Sequence, residues 1–278
     1  MVVAVWGTNF VVIKWALPTL PPLLLGVLRF VLVFVPAALF IPRPAVPWRK
    51  LAAYGVLIGS GQFGLLYLAL NGFIAPGLAS LVIQTQVFFT IGLAMAADGE
   101  RVRPHQWVAL LLATFGIAVI AANTGGDISL TGLVMVLTGA LCWAAGNQVA
   151  RSMGRVHMLG VVVWSSCFAL PPLLGLSLFF EGPTRMADGL MAADATVWAA
   201  VVWQAVGNSL FGYAAWGWLM ARHPAATIAP MALLVPVFGM GASAWFLSEA
   251  LQPWKLTAAA LVLSGLALNL LWPHKRST

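Results

Sequence analysis

The sequence predicts an all-α polytopic membrane protein with ten transmembrane helices in two inverted five-helix repeats. Three observations support this prediction: the composition, the distribution of basic residues, and a correspondence between the two halves. Of 278 residues, 62% are hydrophobic and only 8% are charged, whereas a soluble domain carries about 25% charged residues. A chain with so few charges does not cover its surface with polar groups. Its main partner is therefore expected to be the lipid bilayer.

Ten apolar stretches approach or exceed the length needed to cross the hydrocarbon, which takes about 20 residues of helix. Divisions at charges, prolines and glycine-rich links predict the following helices: 1–17, 21–41, 51–73, 76–97, 104–122, 130–149, 158–180, 196–221, 224–247 and 254–272. The first repeat is expected to cover residues 1–122 and the second residues 130–272. Residues 273–278 then form a short tail.

Basic residues concentrate in alternate links between these helices. One set of links, which ends with the tail, contains Arg43, Arg49, Lys50, Arg101, Arg103, Arg151, Arg155, Arg222, Lys275 and Arg276. The opposite set contains only Arg185 and Lys255. Because Lys and Arg accumulate in cytoplasmic loops, we expect a multi-pass protein of the inner membrane with both termini in the cytoplasm. The net charge of +7 is dispersed among short links, so it does not indicate a nucleic-acid partner.

The ends of the two halves correspond when the sequence is shifted by 149 residues. The matched pairs are Phe89 with Phe238, Gly92 with Gly241, Glu100 with Glu249, Pro104 with Pro253, and Gly116 with Gly265. Five helices separate the halves, and because this number is odd, the second half is expected upside down relative to the first. Inverted repeats are frequent in secondary transporters, which bind substrate near the midplane between the halves.

Three segments also match a known pattern: VWGTNFVVIKWALPTLPPLLLGVLRF, GERVRPHQWVALLLATFGIAVI and SEALQPWKLTAAALVLSGLALNLL. They resemble the opening and the two repeat endings of EamA-type members of the drug/metabolite transporter superfamily. The resemblance covers essentially the whole chain and implies ten helices and the export of small metabolites. Within the superfamily the chain is most similar to the YddG-type exporters of aromatic amino acids.

Uncharged amides and aromatic residues recur near the centres of several predicted helices. The predicted substrate-binding residues are Trp6, Asn9, Gln62, Tyr67, Gln84, Gln86, Phe89, Trp143, Asn147, Trp164, Gln204 and Asn208. A shared wet cavity meets the hydrogen-bond needs of such amides; alternatively, each amide bonds a neighbouring helix and stabilises packing. Gln84 and Gln86 point about 200° apart on a regular helix, so both are not expected to face one cavity.

Ionisable residues are nearly absent from the predicted helices. No Asp or Glu lies within one, and the four histidines lie at helix ends. We therefore expect a neutral, zwitterionic or anionic substrate and no buried proton relay. Lys14 and Arg29 are interpreted as intramembrane cations that attract a carboxylate leaving toward the outside. The alternative is that both side chains extend to the external interface.

Glycines and prolines mark two further segments. GSGQFG lies in the third predicted helix, and Pro230 and Pro236 lie in the ninth. These residues are interpreted either as hinges or as positions that permit close helix contact.

The sequence favours a secondary transporter that exports small amino-acid-like metabolites, with aromatic or apolar amino acids preferred, by alternating access around a midplane cavity. A sugar or nucleotide-sugar exporter is the nearest alternative. An integral-membrane enzyme and an assembly protein are alternatives of other classes, but the enzyme requires paired acids, a His cluster or an activated nucleophile at membrane depth. No catalytic residue, metal site or cofactor is expected. The sequence leaves the oligomeric state open, and a monomer is compatible with it.

Overall fold

The computed structural model describes residues 1–98, 104–223 and 229–271. Across these ranges the secondary structure is helical, with isolated bridges only in links. In chain order the described helices are α1 (Val2–Ala16), α2 (Pro22–Ala37), α3 (Trp48–Leu70), α4 (Pro76–Asp98), α5 (Pro104–Ala122), α6 (Leu130–Ser152), α7 (Met158–Phe180), α8 (Gly182–Ala192), α9 (Ala195–Arg222), α10 (Ala229–Leu247) and α11 (Pro253–Leu271).

Four of these helices change their winding along their length. Helix α3 contains a π segment at Gly55–Gly64, and α9 contains one at Trp203–Phe211. Helix α4 contains a 3₁₀ turn at Ile83–Thr85, and α10 begins with a 3₁₀ segment at Ala229–Leu233. Such segments redirect the side chains that follow them and are frequent at functional sites.

Six described helices are long and apolar enough to cross a membrane: α3, α4, α5, α6, α7 and α11. The pair α8 and α9, which meet at a bend of 105°, raises this number to seven if it forms one span. Helices α1 and α2 and the segment Met231–Leu247 of α10 are apolar but shorter. The chain is therefore an all-helical, multi-pass membrane protein.

The predicted helix boundaries need three corrections. The third helix lies three residues earlier than expected, because it begins directly after Pro47 and ends before Asn71, whose backbone is not helical. The second ends at Ala37, and the predicted link over 181–195 contains the amphipathic helix α8. Outside the described residues lie the predicted helix start at 224–228 and Glu100, Arg101, Arg103, Trp272, Lys275 and Arg276.

The described links gather into two faces of the helix bundle. At the first, Trp164 Nε1 donates to Ile41 O at 2.9 Å, and the Lys50 ammonium donates to Ser152 O. We call this the basic face (residues 38–50 and 151–158). At the second, Ala75 N donates to Asp127 O at 2.7 Å. We call this the opposite face (residues 17–24, 70–77, 123–132, 181–195 and 248–255).

Helices α5 and α11 pack closely through two glycines. A Cβ atom on Gly116 would lie 3.1 Å from Ala258 O, and a Cβ atom on Gly265 would lie 2.6 Å from Ala109 O. On each helix the alanine precedes the glycine, and the alanine of one helix contacts the glycine of the other. The two helices therefore run antiparallel.

Glycines also determine how α3 contacts its neighbours. A Cβ atom on Gly55 would lie 2.1 Å from Ser165 O of α7, and one on Gly59 would lie 2.2 Å from the Cβ atom of Ala169. No side chain fits in these positions, so the glycine-rich segment permits close packing of α3 on α7. The close-contact interpretation therefore has a structural basis in α3.

Helix α9 packs against both α1 and α2. The link between α1 and α2, LPTLPP, is short, but the two helices make little contact with each other. Helix α1 packs mainly on α10 and α2 packs mainly on α7, while α9 contacts both α1 and α2. As a result, the side chain of Arg29 on α2 meets α9.

Candidate functional site

A cavity of about 480 Å³ lies within the bundle, in the range of about 300–1,000 Å³ that is typical of small-molecule sites. Its wall includes Met158 of the basic face, the adjacent residue Ala150, and Leu270 in the last turn of α11. Among the described residues, none from the opposite face lines this cavity. The cavity thus extends from the middle of the bundle toward the basic face.

The structure brings eight of the twelve predicted site residues to the wall of this cavity. They are Trp6, Asn9, Gln62, Gln84, Gln86, Trp143, Asn147 and Asn208. The other four, Tyr67, Phe89, Trp164 and Gln204, are not among its lining residues. Tyr67 and Gln204 lie behind the wall, where they hydrogen-bond each other at 2.5 Å.

Gln84 and Gln86 both line the cavity, so the expectation that they cannot share one is wrong. The 3₁₀ turn Ile83–Thr85 contains Gln84 and ends directly before Gln86, so the regular α-helical angle on which that expectation rested does not apply. Gln84 Nε2 donates to Ala232 O at 3.2 Å, and Gln86 Oε1 accepts from Asn147 Nδ2 at 3.0 Å. Each glutamine therefore both lines the cavity and bonds another helix.

Asn9 and Gln62 differ from these glutamines because their amides have unused bonding capacity. Their side chains are 3% and 4% exposed, and both residues line the cavity. Within the described part of the chain, Asn9 Oδ1 and Gln62 Oε1 have no hydrogen-bond partner. An unmet buried polar atom costs about 1–3 kcal/mol, so these amides favour a polar group or water in the cavity.

Arg29 lies directly behind the cavity wall and is only 1% exposed. Its Nη2 donates to Asn208 Oδ1 at 2.9 Å, its Nε donates to Ser209 Oγ at 3.1 Å, and its Nη1 donates to the Tyr67 hydroxyl at 3.0 Å. The guanidinium also lies 3.8 Å from the centre of the Phe63 ring. Arg29 therefore does not extend to the external interface.

All these partners of Arg29 are neutral. No carboxylate forms an ion pair with it among the residues that the structure describes. A buried charge without a counter-ion is unfavourable in a membrane protein. Asn208 connects Arg29 to the cavity, because it lines the cavity and its side-chain carbonyl oxygen accepts a hydrogen bond from Arg29.

Lys14 has a different environment, at the end of a helix. Its Nζ donates to Leu70 O at 3.0 Å, and Leu70 ends α3. A lysine at a helix C-terminus satisfies a free carbonyl and interacts favourably with the helix dipole. Lys14 is absent from the cavity lining.

An aromatic cluster forms part of the cavity wall. Trp6 lies 5.7 Å from Tyr213 and 5.3 Å from Trp216, measured between ring centres, and all three line the cavity. Sequence reasoning missed Tyr213 and Trp216 because they lie beyond the centre of α9. They occur one and two turns after Asn208, and this spacing was the available signal.

Trp164 lies away from the cavity. Its indole N–H bonds Ile41 O, and its ring packs on Phe34 and Trp48 near the basic face. This environment is typical of a tryptophan at the membrane interface. Phe89 is half-buried and packs against the bundle core.

The described ranges contain no cluster of residues that could bind a metal ion. No group of three His, Cys, Asp or Glu residues suitable for a metal ion occurs there, and no acid or histidine is among the cavity-lining residues found there. The chemistry of the site is therefore that of amides, aromatic rings and one buried guanidinium.

Comparison with known proteins identifies the family. The EamA-like transporter family matches residues 1–122 and 130–271. The chain belongs to this family. A Salmonella typhimurium LT2 protein named a probable amino-acid metabolite efflux pump is 38% identical over 284 residues, covering 100% of this chain and 95% of the relative. An Escherichia coli K12 protein of the same name is 38% identical over 275 residues, covering 97% and 92%.

Two further comparisons are more distant. An Escherichia coli K12 protein named an uncharacterized inner membrane transporter is 27% identical, and the match covers 62% of this chain and 63% of that protein. A solved crystal structure aligns with a TM-score of 0.61 at 20% identity and covers 96% of both chains. This structural likeness concerns the fold alone. The EamA family member described here is therefore a multi-pass membrane transporter.

Proposed function

We propose that this EamA family member is a secondary transporter that exports small amino-acid-like metabolites, preferably aromatic or apolar amino acids, across the inner membrane. The observation that carries the proposal is the guanidinium of Arg29, which pairs with no carboxylate of the described residues and lies behind a cavity wall of amides and aromatic rings. The two relatives named probable amino-acid metabolite efflux pumps support the same substrate class.

The substrate carboxylate is expected to bind Asn208. Because Arg29 bonds the carbonyl oxygen of this amide, the amide NH₂ group remains for the cavity. Bonding to a cation polarises the amide and strengthens the NH₂ group as a donor. The substrate ammonium group then has the unpartnered amides of Asn9 and Gln62 as acceptors.

Substrate side chains are expected to pack on the aromatic wall. Trp6, Trp143 and Trp216 offer flat surfaces within the same cavity. Aromatic pairs contribute about 0.5–1.5 kcal/mol beyond their buried area. This contribution favours aromatic substrates over small polar ones.

We further propose ten membrane spans in two inverted repeats, over residues 1–122 and 130–272. Four observations support this arrangement. A shift of 149 residues relates the π segment Gly55–Gly64 to residues 204–213, and the second observed π segment is Trp203–Phe211. The same shift relates Gly116 and Ala109 to Gly265 and Ala258, which are the four contact positions between α5 and α11. The antiparallel course of these two helices is what inversion requires, and the family matches two segments with nearly the same limits.

The orientation follows from the basic face. Because Arg43, Lys50 and Arg151 lie there, that face and both termini are expected in the cytoplasm. The cavity then extends toward the cytoplasm, as expected for an exporter about to load its substrate. A reporter fused after Lys50 should read cytoplasmic and one near Asp127 external; the reverse result contradicts this orientation.

Counterflow in proteoliposomes tests the substrate proposal. Vesicles loaded with phenylalanine should take up labelled phenylalanine without an imposed proton gradient, because no acid or histidine has been found on the described cavity wall. Unlabelled phenylalanine should compete, whereas phenethylamine, which lacks the carboxylate, should not.

The competitor panel separates the alternatives. If a sugar or nucleotide sugar drives counterflow and amino acids do not, the alternative exporter is correct. If no competitor drives counterflow in well-folded protein, the transport assignment itself fails for these substrate classes. Strict dependence on a proton gradient indicates a carboxylate relay that reaches the cavity.

A further inference from the structure

Glu181 makes an unusually well-satisfied contact on the opposite face. It follows the last residue of α7 and is 8% exposed. Its carboxylate accepts hydrogen bonds from Leu23 N at 2.6 Å, Leu24 N at 3.0 Å and Ser177 Oγ at 2.5 Å. The two backbone donors belong to the first turn of α2, whose N–H groups lack partners within the helix. A carboxylate also interacts favourably with a helix N-terminus.

Glu249 makes the corresponding contact with α4. Its Oε2 accepts from Gly77 N at 3.0 Å in the first turn of that helix, and its Oε1 accepts from Lys255 Nζ at 3.1 Å. Lys255 is fully buried and also pairs with Asp127 at 2.8 Å. A Cβ atom on Gly77 would lie 2.9 Å from Glu249 Oε2, so any larger residue there requires the carboxylate to shift away.

The two contacts share a topology. Each carboxylate follows a helix of residues 130–271, and each donor begins a helix of residues 1–122. Both contacts lie on the opposite face, away from the end toward which the cavity extends. Any separation of the two halves on this face breaks both contacts and leaves helix N–H groups and carboxylates without these partners.

We propose that the Glu181 and Glu249 contacts together close the opposite face while the cavity is reached from the basic face, and that they open during the transport cycle. This proposal rests on alternating access in the proposed function, but it concerns a different set of residues. We call the contacts of Glu181 with the start of α2 and of Glu249 with the start of α4 the closing contacts. They stabilise one state of the transporter selectively, because each exists only when α2 and α4 meet the other half.

The test measures access to the cavity from each face. A single cysteine replaces Leu66, a cavity-lining residue, in a background with Cys142→Ala and Cys167→Ala. A membrane-impermeant maleimide is added to intact cells or to inside-out vesicles. The labelling rate from each side then reports how often the cavity opens to that side, and no substrate is needed.

We expect Glu181→Gln and Glu249→Gln each to raise labelling from the opposite face about tenfold, since each loses a charge-assisted hydrogen bond. Labelling from the basic face should not rise, because the two states exchange population. Gly77→Ala should act in the same direction without a change in charge, because its methyl group displaces the Glu249 carboxylate.

Asp194→Asn is the matched control. Asp194 also lies on the opposite face, and its carboxylate accepts from Val197 N at 2.9 Å. Both residues lie at the start of α9, so this contact does not connect the two halves. It should leave both labelling rates unchanged.

Two results overturn the proposal. If the Gln variants and Gly77→Ala are folded and label like the parent, the contacts do not hold the face closed. If labelling rises equally from both faces, the variants only loosen the bundle. Failure of the substrate assignment appears instead as absent counterflow with normal labelling shifts, so the two proposals are tested separately.

Discussion

Arg29 and Lys255 are both buried cations in a membrane protein, but the two regions around them differ in how they compensate the charge. Lys255 on the opposite face pairs with Glu249 and Asp127. Arg29 beside the cavity contacts Asn208, Ser209, Tyr67 and nearby aromatic rings. The charge on the opposite face is compensated within the protein, whereas the charge near the cavity is compensated by no described residue.

The polar groups around these cations follow the same division. On the opposite face, the Glu181 carboxylate has three donors. At the cavity wall, the amide oxygens of Asn9 and Gln62 have none among the described residues. Satisfied groups hold one structure together, and unsatisfied ones create a need that a bound molecule can meet. This contrast indicates closure in one region and binding in the other.

Removal of Lys255 gives the largest expected effect on stability. Lys255→Met leaves the Glu249 carboxylate buried with Gly77 N as its remaining donor. Breaking a buried pair by removing one partner costs about 3–5 kcal/mol, and we expect the lower end because Asp127 is 40% exposed. The free energy of unfolding in detergent, measured with denaturant, checks this value.

Arg185→Met is its control, since Arg185 is an exposed cation on the same face. It should change the free energy of unfolding by less than about 0.5 kcal/mol. If the Lys255→Met protein is as stable as the parent, the ion pairs of Lys255 do not stabilise the opposite face.

Removal of Arg29 should affect transport much more than stability. Arg29→Met removes a charge that no described carboxylate compensates, while Tyr67 still donates to Gln204 and Ser209 still donates to Gln204 O. We expect stability within about 1 kcal/mol of the parent. Counterflow of a carboxylate substrate should fall about tenfold to a hundredfold, the equivalent of one charge-assisted hydrogen bond.

Arg29→Lys separates charge from geometry. It keeps the cation but loses the planar contacts, so it should recover part of the rate. If Arg29→Met transports normally but unfolds more easily, Arg29 is a structural residue like Lys255, and the proposed carboxylate site is wrong.

The sequence was sufficient to predict the features that depend on composition. Apolar length located the helices, and the cost of unmet amides in lipid predicted that Asn9, Gln62, Gln86 and Asn208 lie around one cavity. Both inferences depend on where each residue lies along its own helix, which the sequence gives directly.

Features that depend on neighbouring helices were not predictable in this way. Arg29 was compatible with burial or with extension to the interface until α9 was found beside α2. Gln84 and Gln86 were not expected to share one cavity, because nothing in LVIQTQV distinguishes a 3₁₀ turn from a regular helix. The closing contacts were also missed, since Glu181 and Glu249 look like ordinary link residues until their backbone donors are known.

The smallest expected effect separates packing from lining within one residue. Gln86→Leu removes the bond from Asn147 Nδ2 but keeps an apolar side chain of similar size that is a good helix former. Interhelical hydrogen bonds in membranes contribute about 0.6 kcal/mol on average, so the midpoint of thermal unfolding should fall only slightly. Counterflow per folded molecule should nevertheless decrease, because a polar position on the cavity wall is lost.

Asn208→Leu supplies the paired measurement from the other half, and Asn123→Leu is the control because Asn123 is an exposed amide in a link. A midplane site that draws on both halves requires losses of flux for Gln86→Leu and Asn208→Leu but not for Asn123→Leu. If the first two variants transport at the parental rate per folded molecule, these amides only hold helices together. The contrast between a satisfied face and an unsatisfied cavity would then describe packing and not substrate binding.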